Sequence, residues 1–533
     1  MTLKRIVLSV LTLLVALVMG NSLISSLGEP QVANQLQLYQ TDLLVQASEW
    51  EGSGLPAAEV QQFRQAVFGK DALVSASEQY REVREDAATG VAKLQERLTA
   101  SSEMSPEQAQ AIALKAQTQQ QLINQIDLRL GLVQVQQNEV AEALSTWQAL
   151  ASEPGESALV AAVLADLWRT PPVVRPETEA VIGQSLRGWF RNVALARFYS
   201  VQNNAKQLAQ IEKVQAETAE RTLIQLSVVD ILPAVGGLLG TALLIALVGQ
   251  RLLRGKQALL AVSNGQWQVP WDWEVVWLVI VGGFLFVGQL ALPLVLQLGL
   301  MVAQPGSLQA ASGLSTPGLA SSGLVPSGLA SAGLVIGLAS RGKALYSLVF
   351  YLLMAASTLG VLYWAIKDYL PLSKEWFRFE LSGKWPVWGL GGYLVALPLM
   401  LGVSVLNQQI WQGQGGNNPI LQLVLEEQDP VALGMFLFTA AVAAPIFEEI
   451  LFRGFLLPSL TRYMSTWGAI GLSSLIFAVA HLSFSEVLPL AVLGAILGFV
   501  YVRSQNLMTS ILLHSTWNSV TMAGLFLLGS GGL

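Results

Sequence analysis

The chain has 533 residues, of which 53% are hydrophobic and only 12% charged, about half the charged fraction of an average soluble domain. This composition excludes a purely soluble protein and predicts a polytopic membrane protein with a soluble part. The net charge of −6 and the lack of a basic patch argue against a nucleic-acid partner. The absence of cysteine excludes disulfides, thiolate metal sites and a cysteine nucleophile.

The first predicted element is an apolar run from about residue 6 to residue 27, preceded by Lys4 and Arg5. A cleaved signal peptide has the same charged start and apolar centre. No clean small-x-small cleavage motif precedes Gly28, so we favour an uncleaved membrane anchor over 1–27. The positive-inside rule places its N-terminus in the cytoplasm.

Residues 28–222 are polar, rich in Gln, Glu and Ala, and have the helical periodicity of a soluble α-helical domain. Part of this stretch is near the spacing of a tetratricopeptide (TPR) unit, which would suit docking of a protein partner or substrate. A single unit is not an array, so a generic helical bundle explains the pattern equally well. The TPR-like positions are Leu130, Gly131, Ala143, Trp147 and Pro154.

Further apolar segments follow between 226 and 384, beginning with a span over about 228–248. Arg251, Arg254 and Lys256 come directly after that span, so its far end is predicted to be cytoplasmic and the 28–222 domain extracytoplasmic. A third span ends near residue 300 and begins with four tryptophans, which are typical of an interfacial belt. These tryptophans are Trp267, Trp271, Trp273 and Trp277.

A Gly/Ser-rich stretch near 303–340 repeats Ser-Gly-Leu and carries no charge, which predicts a loosely folded outer loop; a re-entrant segment remains an alternative.

Residues 385–533 are predicted to form the core of the membrane part. Together these features predict an all-α fold: a polytopic membrane helix bundle with an N-terminal soluble α-helical, TPR-like domain. The spans predicted after this stretch cover about 344–366, 387–405, 431–447, 468–481, 488–502 and 508–528.

Two adjacent carboxylates and an arginine stand near the predicted inner end of the 431–447 span, in Phe-Glu-Glu-Ile-Leu-Phe-Arg. Ionisable residues at membrane depth are costly and usually mark function. On an α-helix, Glu449 and Arg453 share a face at i and i+4, whereas Glu448 points elsewhere. Arg453 is therefore predicted to neutralise Glu449, which leaves Glu448 free to act as a base. A solvated ion pair at a helix end is the structural alternative.

The only two histidines of the chain, His481 and His514, follow within apolar segments that are predicted to be helical. His481 comes four residues after Phe477, and His514 lies one helical turn before Asn518. Packing does not readily explain why two histidines, an asparagine and a Glu-Glu pair occur within so short a stretch of membrane-like sequence.

Glu-Glu-x-x-x-Arg, Phe-x-x-x-His and His-x-x-x-Asn, in this order, resemble the motifs of the CPBP intramembrane proteases. That family includes the type II CAAX prenyl endopeptidases and the bacteriocin-processing, Abi-like membrane proteins. The resemblance covers the last third to half of the chain. It implies peptide-bond hydrolysis by Glu448, His481, His514 and Asn518, supported by Glu449, Arg453 and Phe477.

The chemistry is consistent with this implication. Glu448 and His481 can polarise a water molecule, with the glutamate taking its proton. His514 and Asn518 can both donate to one oxygen, as an oxyanion hole requires. A divalent metal such as zinc, held by Glu448, His481 and His514, is the alternative, although no His-Glu-x-x-His motif is present. We place metal-free glutamate catalysis slightly ahead.

Functions from other classes explain the same residues. A catalytically silent scaffold or partner-binding protein would use them as interhelical hydrogen bonds. A transporter would use them to line an ion path. Both histidines together favour the enzyme, because a scaffold has no need of them. The expected partners are the membrane, a peptide or protein substrate, and a protein that docks on the 28–222 domain.

Overall fold

The structure, a computed structural model, describes residues 2–27, 32–52, 56, 58, 60, 71–100, 106–262, 267–303, 340–411, 424, 427 and 429–530. Within these ranges the chain is helical and has no β-strand, so the predicted all-α fold is confirmed. The chain divides into two compact units. One consists of Met1–Val32 with Pro233–Phe526, and the other of Ala33–Leu232 with Leu527–Leu533. The Gly/Ser-rich stretch predicted near 303–340 falls almost entirely outside the described residues.

Helices α1 to α9 cover the N-terminal part of the chain. They are α1 (Leu3–Ser26), α2 (Val32–Ala47), α3 (Ala72–Ala100), α4 (Pro106–Gln136), α5 (Val140–Ala151), α6 (Glu156–Trp168), α7 (Thr178–Ser185), α8 (Gly188–Val201) and α9 (Ala205–Leu226).

Helices α10 to α17 follow. They are α10 (Leu232–Arg254), α11 (Trp273–Trp277, continued by Leu278–Ala291 and Leu292–Ala303), α12 (Ser340–Ile366), α13 (Trp385–Trp411), α14 (Pro430–Leu460), α15 (Thr466–Val479), α16 (Phe484–Ser504) and α17 (Leu507–Ser530).

The helical unit Ala33–Leu232 has its own hydrophobic core. Helices α4 and α5 form a hairpin whose turn contains Asn138 in the left-handed region, with φ of 64°. Gly131 allows the Trp147 indole to pack closely against α4, since a Cβ at this position would come within 2.3 Å of the indole nitrogen. Trp147 and Ala143 are both fully buried. Four of the five TPR-like positions therefore belong to one helix pair of the domain, whereas Pro154 is exposed in the turn after α5.

The other unit carries most of the helices that are long and apolar enough to cross a membrane. The described residues contain eight such helices, and the protein is a multi-pass integral membrane protein. The short span predicted over 468–481 corresponds to α15, which has 14 residues and is not one of these eight helices. A helix of that length rises about 21 Å, less than the hydrocarbon core of about 30 Å.

The predicted position of Glu448 near a helix end is wrong. Helix α14 runs over 31 residues, from Pro430 to Leu460, so Glu448 lies in its interior. Two π-helical segments, Thr439–Ala443 and Glu449–Leu456, interrupt its α-helical geometry. Segments of this kind are frequent at functional sites, because the extra residue redirects side chains.

The predicted tryptophan belt is also only partly correct. Trp267 and Trp271 are buried, whereas Trp273 is exposed. Trp271 donates from its indole nitrogen to the hydroxyl oxygen of Ser459 at 2.9 Å, and its ring packs on Phe455. Trp271 therefore fastens the segment before α11 to the end of α14 instead of facing lipid.

Contacts between helix ends separate into two sets. In the first, Arg5 pairs with Glu274, and the Asn506 amide donates to the Glu380 carbonyl. In the second, Arg341 pairs with Asp429, and the Phe484 N–H donates to the Ser26 hydroxyl. Each set joins chain segments that the predicted topology places on the same side of the membrane.

Small residues allow α10 to lie close to α13. A Cβ at Gly240 would come within 1.8 Å of the Leu394 carbonyl oxygen and within 2.9 Å of Pro398. A Cβ at Gly236, four residues earlier, would meet Leu397 at 2.7 Å. Close backbone approach at a small-xxx-small pair is a common way for membrane helices to associate.

Candidate active site

A cavity of about 390 Å³ lies among the membrane helices. It is lined by all four predicted catalytic side chains, from α14, from the turn after α15 and from α17. Most of the remaining wall is apolar. The predicted residues are Glu448, His481, His514 and Asn518, and the apolar wall includes Phe284, Phe350, Met354, Leu490, Leu493 and Met522.

Of the two adjacent glutamates, Glu448 is the one that faces this cavity, which Glu486 also lines. Its side chain is 14% exposed, whereas the neighbouring Glu449 is completely buried. Oε1 of Glu448 accepts a hydrogen bond from the Tyr351 hydroxyl at 2.7 Å, and Oε2 lies 3.8 Å from Nε2 of His514. The two adjacent glutamates thus have different surroundings, and Glu448 is the one that a bound substrate could reach.

Glu449 lies behind the cavity and connects two helices. Its Oε1 accepts from Nη1 of Arg453 at 2.7 Å and from Nδ1 of His514 at 2.9 Å. The Arg453 contact is the predicted pair at i and i+4. The His514 contact was not anticipated from the sequence, which offered no way of knowing that these faces of α14 and α17 meet.

Arg453 is 1% exposed, and its guanidinium group has three partners. Besides Glu449, it donates from Nη2 to the Gly494 carbonyl at 3.0 Å, and its guanidinium carbon lies 4.7 Å from the ring centre of Phe477. A charge buried this deeply needs such partners, because its desolvation is otherwise very costly. Arg453 therefore ties α14 to α16 and supports the carboxylate that holds His514.

Phe477 stands at the centre of the predicted set. Its ring meets His481 at 4.9 Å and His514 at 6.0 Å between ring centres, both in edge-to-face geometry. Together with the Arg453 contact, these distances make Phe477 a packing partner of three predicted functional side chains. Its apolar ring also limits how each imidazole can turn.

His481 lies in the turn after α15, whereas the sequence predicted that it would lie within a helix. Its Nδ1 is 2.8 Å from the Phe477 carbonyl oxygen. A carbonyl only accepts hydrogen bonds, so Nδ1 carries a proton, and Nε2 is the ring nitrogen that this contact leaves available. The next residue, Leu482, is in the left-handed region with φ of 59°, where the chain turns towards α16.

His514 and Asn518 lie one turn apart on α17, as predicted. The contact with the Glu449 carboxylate assigns a proton to Nδ1 of His514 and turns Nε2 towards Glu448. Asn518 donates one amide hydrogen to the Ala440 carbonyl at 2.7 Å. This bond fixes the orientation of the amide and leaves its second N–H for another acceptor.

The proposed metal ligands are not grouped as a ready-made metal site in the part of the chain that the structure describes. Across the described ranges, no three His, Asp or Glu side chains come together at a spacing that could hold a metal ion. Nδ1 of His514 is already engaged by Glu449, which leaves only Nε2 for a ligand. Whether Glu448, His481 and His514 bind a metal ion stays a prediction of the sequence, and no step below depends on one.

Residues outside the predicted core also reach the cavity. Tyr351 comes from α12, and Gln289 comes from α11, where it donates to the Ala480 carbonyl at 3.3 Å. Tyr351 lies on a buried face of α12 that the composition of this helix did not mark. Four buried side chains follow one another along this face at helical spacing: Ser347, Tyr351, Met354 and Thr358.

Comparison with known proteins bears on the segment that carries the motifs. Residues 430–520 match the family described as "Type II CAAX prenyl endopeptidase Rce1-like". The chain is 26% identical over 190 residues to the "Membrane-embedded CAAX protease MroQ" of Staphylococcus aureus (strain USA300). This match covers 34% of this chain and 74% of that protein.

Two further relatives match shorter segments. Identity is 25% over 133 residues to the "Putative membrane peptidase YdiL" of Bacillus subtilis (strain 168), covering 25% of this chain and 53% of that protein. Identity is 33% over 82 residues to the "UPF0177 protein YxdF" of Lactococcus lactis subsp. lactis (strain IL1403), covering 15% of this chain and 45% of that protein. No solved structure matches the chain.

The matched segment runs from the start of α14 into α17 and contains all seven predicted site residues. The family and these relatives support an intramembrane peptidase. Residues 430–520 of this membrane protein form a domain of the Rce1-like, type II CAAX prenyl endopeptidase family.

Proposed function

We propose that this protein is an intramembrane endopeptidase that hydrolyses a peptide bond of a membrane-associated substrate with a water molecule activated by Glu448. One observation carries the proposal. A partly exposed carboxylate shares an otherwise largely apolar cavity with both histidines of the chain and an oriented asparagine amide. Such a cavity combines a base and hydrogen-bond donors, which peptide hydrolysis requires, with an apolar wall.

The water would lie between Glu448 and His481. Oε2 of Glu448 and Nε2 of His481 are both acceptors, so one water molecule can donate a hydrogen bond to each. Its lone pairs then remain free to attack a carbonyl carbon. As the new C–O bond forms, the water proton passes to Oε2 of Glu448.

The oxyanion would be stabilised by Asn518 and His514. The second amide hydrogen of Asn518 is available, and a proton on Nε2 of His514 supplies another donor. That proton is also favourable for the charge of the site. With Glu448 and Glu449 negative and Arg453 positive, a positive His514 brings the cluster to neutrality, which lowers its cost in an apolar setting.

The tetrahedral intermediate then collapses. The C–N bond breaks, and the leaving amine takes the proton that Glu448 received from water. A carboxylic acid and an amine are released, Glu448 is again a carboxylate, and the protons balance without a further reactant. In this scheme His514 donates a hydrogen bond to the oxyanion and takes no part in the proton transfer.

The substrate class follows from the cavity wall. Phe284, Phe350, Met354 and Leu493 would accept an apolar segment of a peptide or protein chain. One relative and the matching family are named for CAAX substrates, but the large helical unit Ala33–Leu232 favours a different substrate for this protein. A protein partner that docks on this unit remains part of the proposal.

The decisive experiment compares Glu448→Gln with the wild type by substrate trapping in native membranes. The amide keeps the shape of the side chain but cannot take a proton, so we expect bound, uncleaved substrate to accumulate on the variant. Glu375→Gln, in an exposed loop, is the matched control and should behave as wild type. Cleavage by Glu448→Gln at the wild-type rate would reject this chemistry and favour the silent scaffold.

A further inference from the structure

The Tyr351 hydroxyl makes a short contact with the carboxylate that faces the cavity. It donates to Oε1 of Glu448 at 2.7 Å. Tyr351 is 8% exposed and lines the same cavity, and its ring meets Phe447 edge-on at 6.0 Å between ring centres. Tyr351 belongs to α12, outside residues 430–520, and thus outside the segment that matches the family.

This contact makes the two oxygens of Glu448 inequivalent. Oε1 is occupied by a phenol hydrogen, whereas Oε2 faces Nε2 of His514 at 3.8 Å. A carboxylate held by one fixed donor cannot rotate freely about its last bond. Its remaining oxygen therefore keeps one direction, and that direction is towards the His514 imidazole.

The packing around Tyr351 fixes the hydroxyl in place. Helix α12 packs against α11 and against the first part of α14. Ser347, Met354 and Thr358 on the same face of α12 are also buried. A phenol has only two side-chain torsions, so burial of its ring leaves the position of the hydroxyl well defined.

We propose that Tyr351 is a positioning residue for the hydrolysis. It engages Oε1 of Glu448 so that Oε2 is the oxygen that takes the proton from water. This inference rests on the proposed function, because it assigns a role within that chemistry. It also means that the reacting carboxylate depends on α12, a helix that the family match does not include.

Tyr351→Phe tests the proposal because it removes only the hydroxyl and keeps the ring. A hydrogen bond to a charged group is strong enough that its loss should lower kcat roughly tenfold to one hundredfold. KM should stay within about twofold of wild type, since the proposed effect is on the reacting oxygen and not on substrate binding. The melting temperature in detergent should change little, because the apolar packing of the ring is retained.

Tyr346→Phe is the matched control. Tyr346 lies on the same helix and stacks on Phe350 at 6.4 Å between ring centres. We expect this variant to have wild-type kcat, KM and melting temperature. A fall in kcat for Tyr346→Phe equal to that of Tyr351→Phe would point to a general effect on α12 and would overturn the positioning role.

The outcomes separate this inference from the proposed function. If Glu448→Gln is inactive while Tyr351→Phe has wild-type kcat, hydrolysis by Glu448 stands and the role of Tyr351 is rejected. If Tyr351→Phe changes KM alone, Tyr351 contacts substrate and does not position the base. If Glu448→Gln cleaves as well as wild type, both proposals fall together.

Discussion

Nδ1 of His514 donates a hydrogen bond to Oε1 of Glu449 at 2.9 Å, and the same oxygen accepts from Arg453. Glu449 is therefore the link between the guanidinium on α14 and the imidazole on α17. The contact assigns one proton of His514 to Nδ1 and directs Nε2 towards Glu448. A carboxylate that does not face the cavity thus controls the orientation of a residue that does.

We expect Glu449→Gln to lose stability and activity together. Removing its charge leaves Arg453 buried without a counter-charge, which costs about 3–5 kcal/mol in soluble proteins. Combining it with Arg453→Met should recover part of the melting temperature, because no unpaired charge then remains. Activity should stay low in the double variant, since His514 has lost its ionic partner. An inactive but fully stable Glu449→Gln would contradict this assignment.

Asn518→Ala should lower kcat by about 10²–10³-fold, the usual cost of losing one oxyanion donor. The hydrogen bond to Ala440 is lost as well, which should lower stability by about 1 kcal/mol and leave the protein folded. Thr521→Ala is the matched control, because Thr521 lines the cavity on the same helix but bonds to the Trp517 carbonyl of that helix. An unchanged kcat for Asn518→Ala would remove Asn518 from the proposed oxyanion hole.

Chelation should leave activity unchanged. The proposed mechanism takes its base and its donors from side chains, and the described residues bring no three metal-binding side chains together. Purified protein treated with EDTA or 1,10-phenanthroline should keep its kcat. Loss of activity that returns on addition of zinc, but not of magnesium, would instead favour the alternative in which Glu448, His481 and His514 bind a metal.

Gly240→Ala should destabilise the membrane unit through the contact between α10 and α13. Its new methyl group would collide with the Leu394 carbonyl, a backbone atom that cannot easily move away. Gly249→Ala, on the same helix, is the control, because nothing lies within 4 Å of its Cβ position. The melting temperature in detergent should fall for Gly240→Ala and should be unchanged or slightly raised for Gly249→Ala. Equal melting temperatures would reject this helix contact.

The predicted topology can be tested by single-cysteine labelling, because the native chain has no cysteine. Glu153→Cys introduces a thiol at an exposed position of the helical unit, and Lys256→Cys introduces one after α10. In intact cells a membrane-impermeant maleimide should label Glu153→Cys but not Lys256→Cys. The reverse pattern would show that the topology is inverted.

The sequence alone determined much of the site because its signals are local. The i and i+4 spacing of Glu449 and Arg453 is a property of one helix, and the pair forms at 2.7 Å. The spacing of His514 and Asn518 is likewise local, and the hydropathy of each span depends only on its own residues. The family resemblance rested on the same short motifs and is confirmed over residues 430–520.

Only the tertiary structure decided which helix faces meet. Hydropathy does not reveal that Tyr351 reaches Glu448, because the two residues lie 97 positions apart in the sequence. It likewise does not reveal that His514 bonds to Glu449, which lies 65 positions away. Trp271 is a further example. The sequence predicted that it lies at the membrane interface, whereas in the structure it is buried against Ser459 and Phe455. Helical period fixes the face that a side chain occupies, whereas its neighbour depends on how the whole bundle packs.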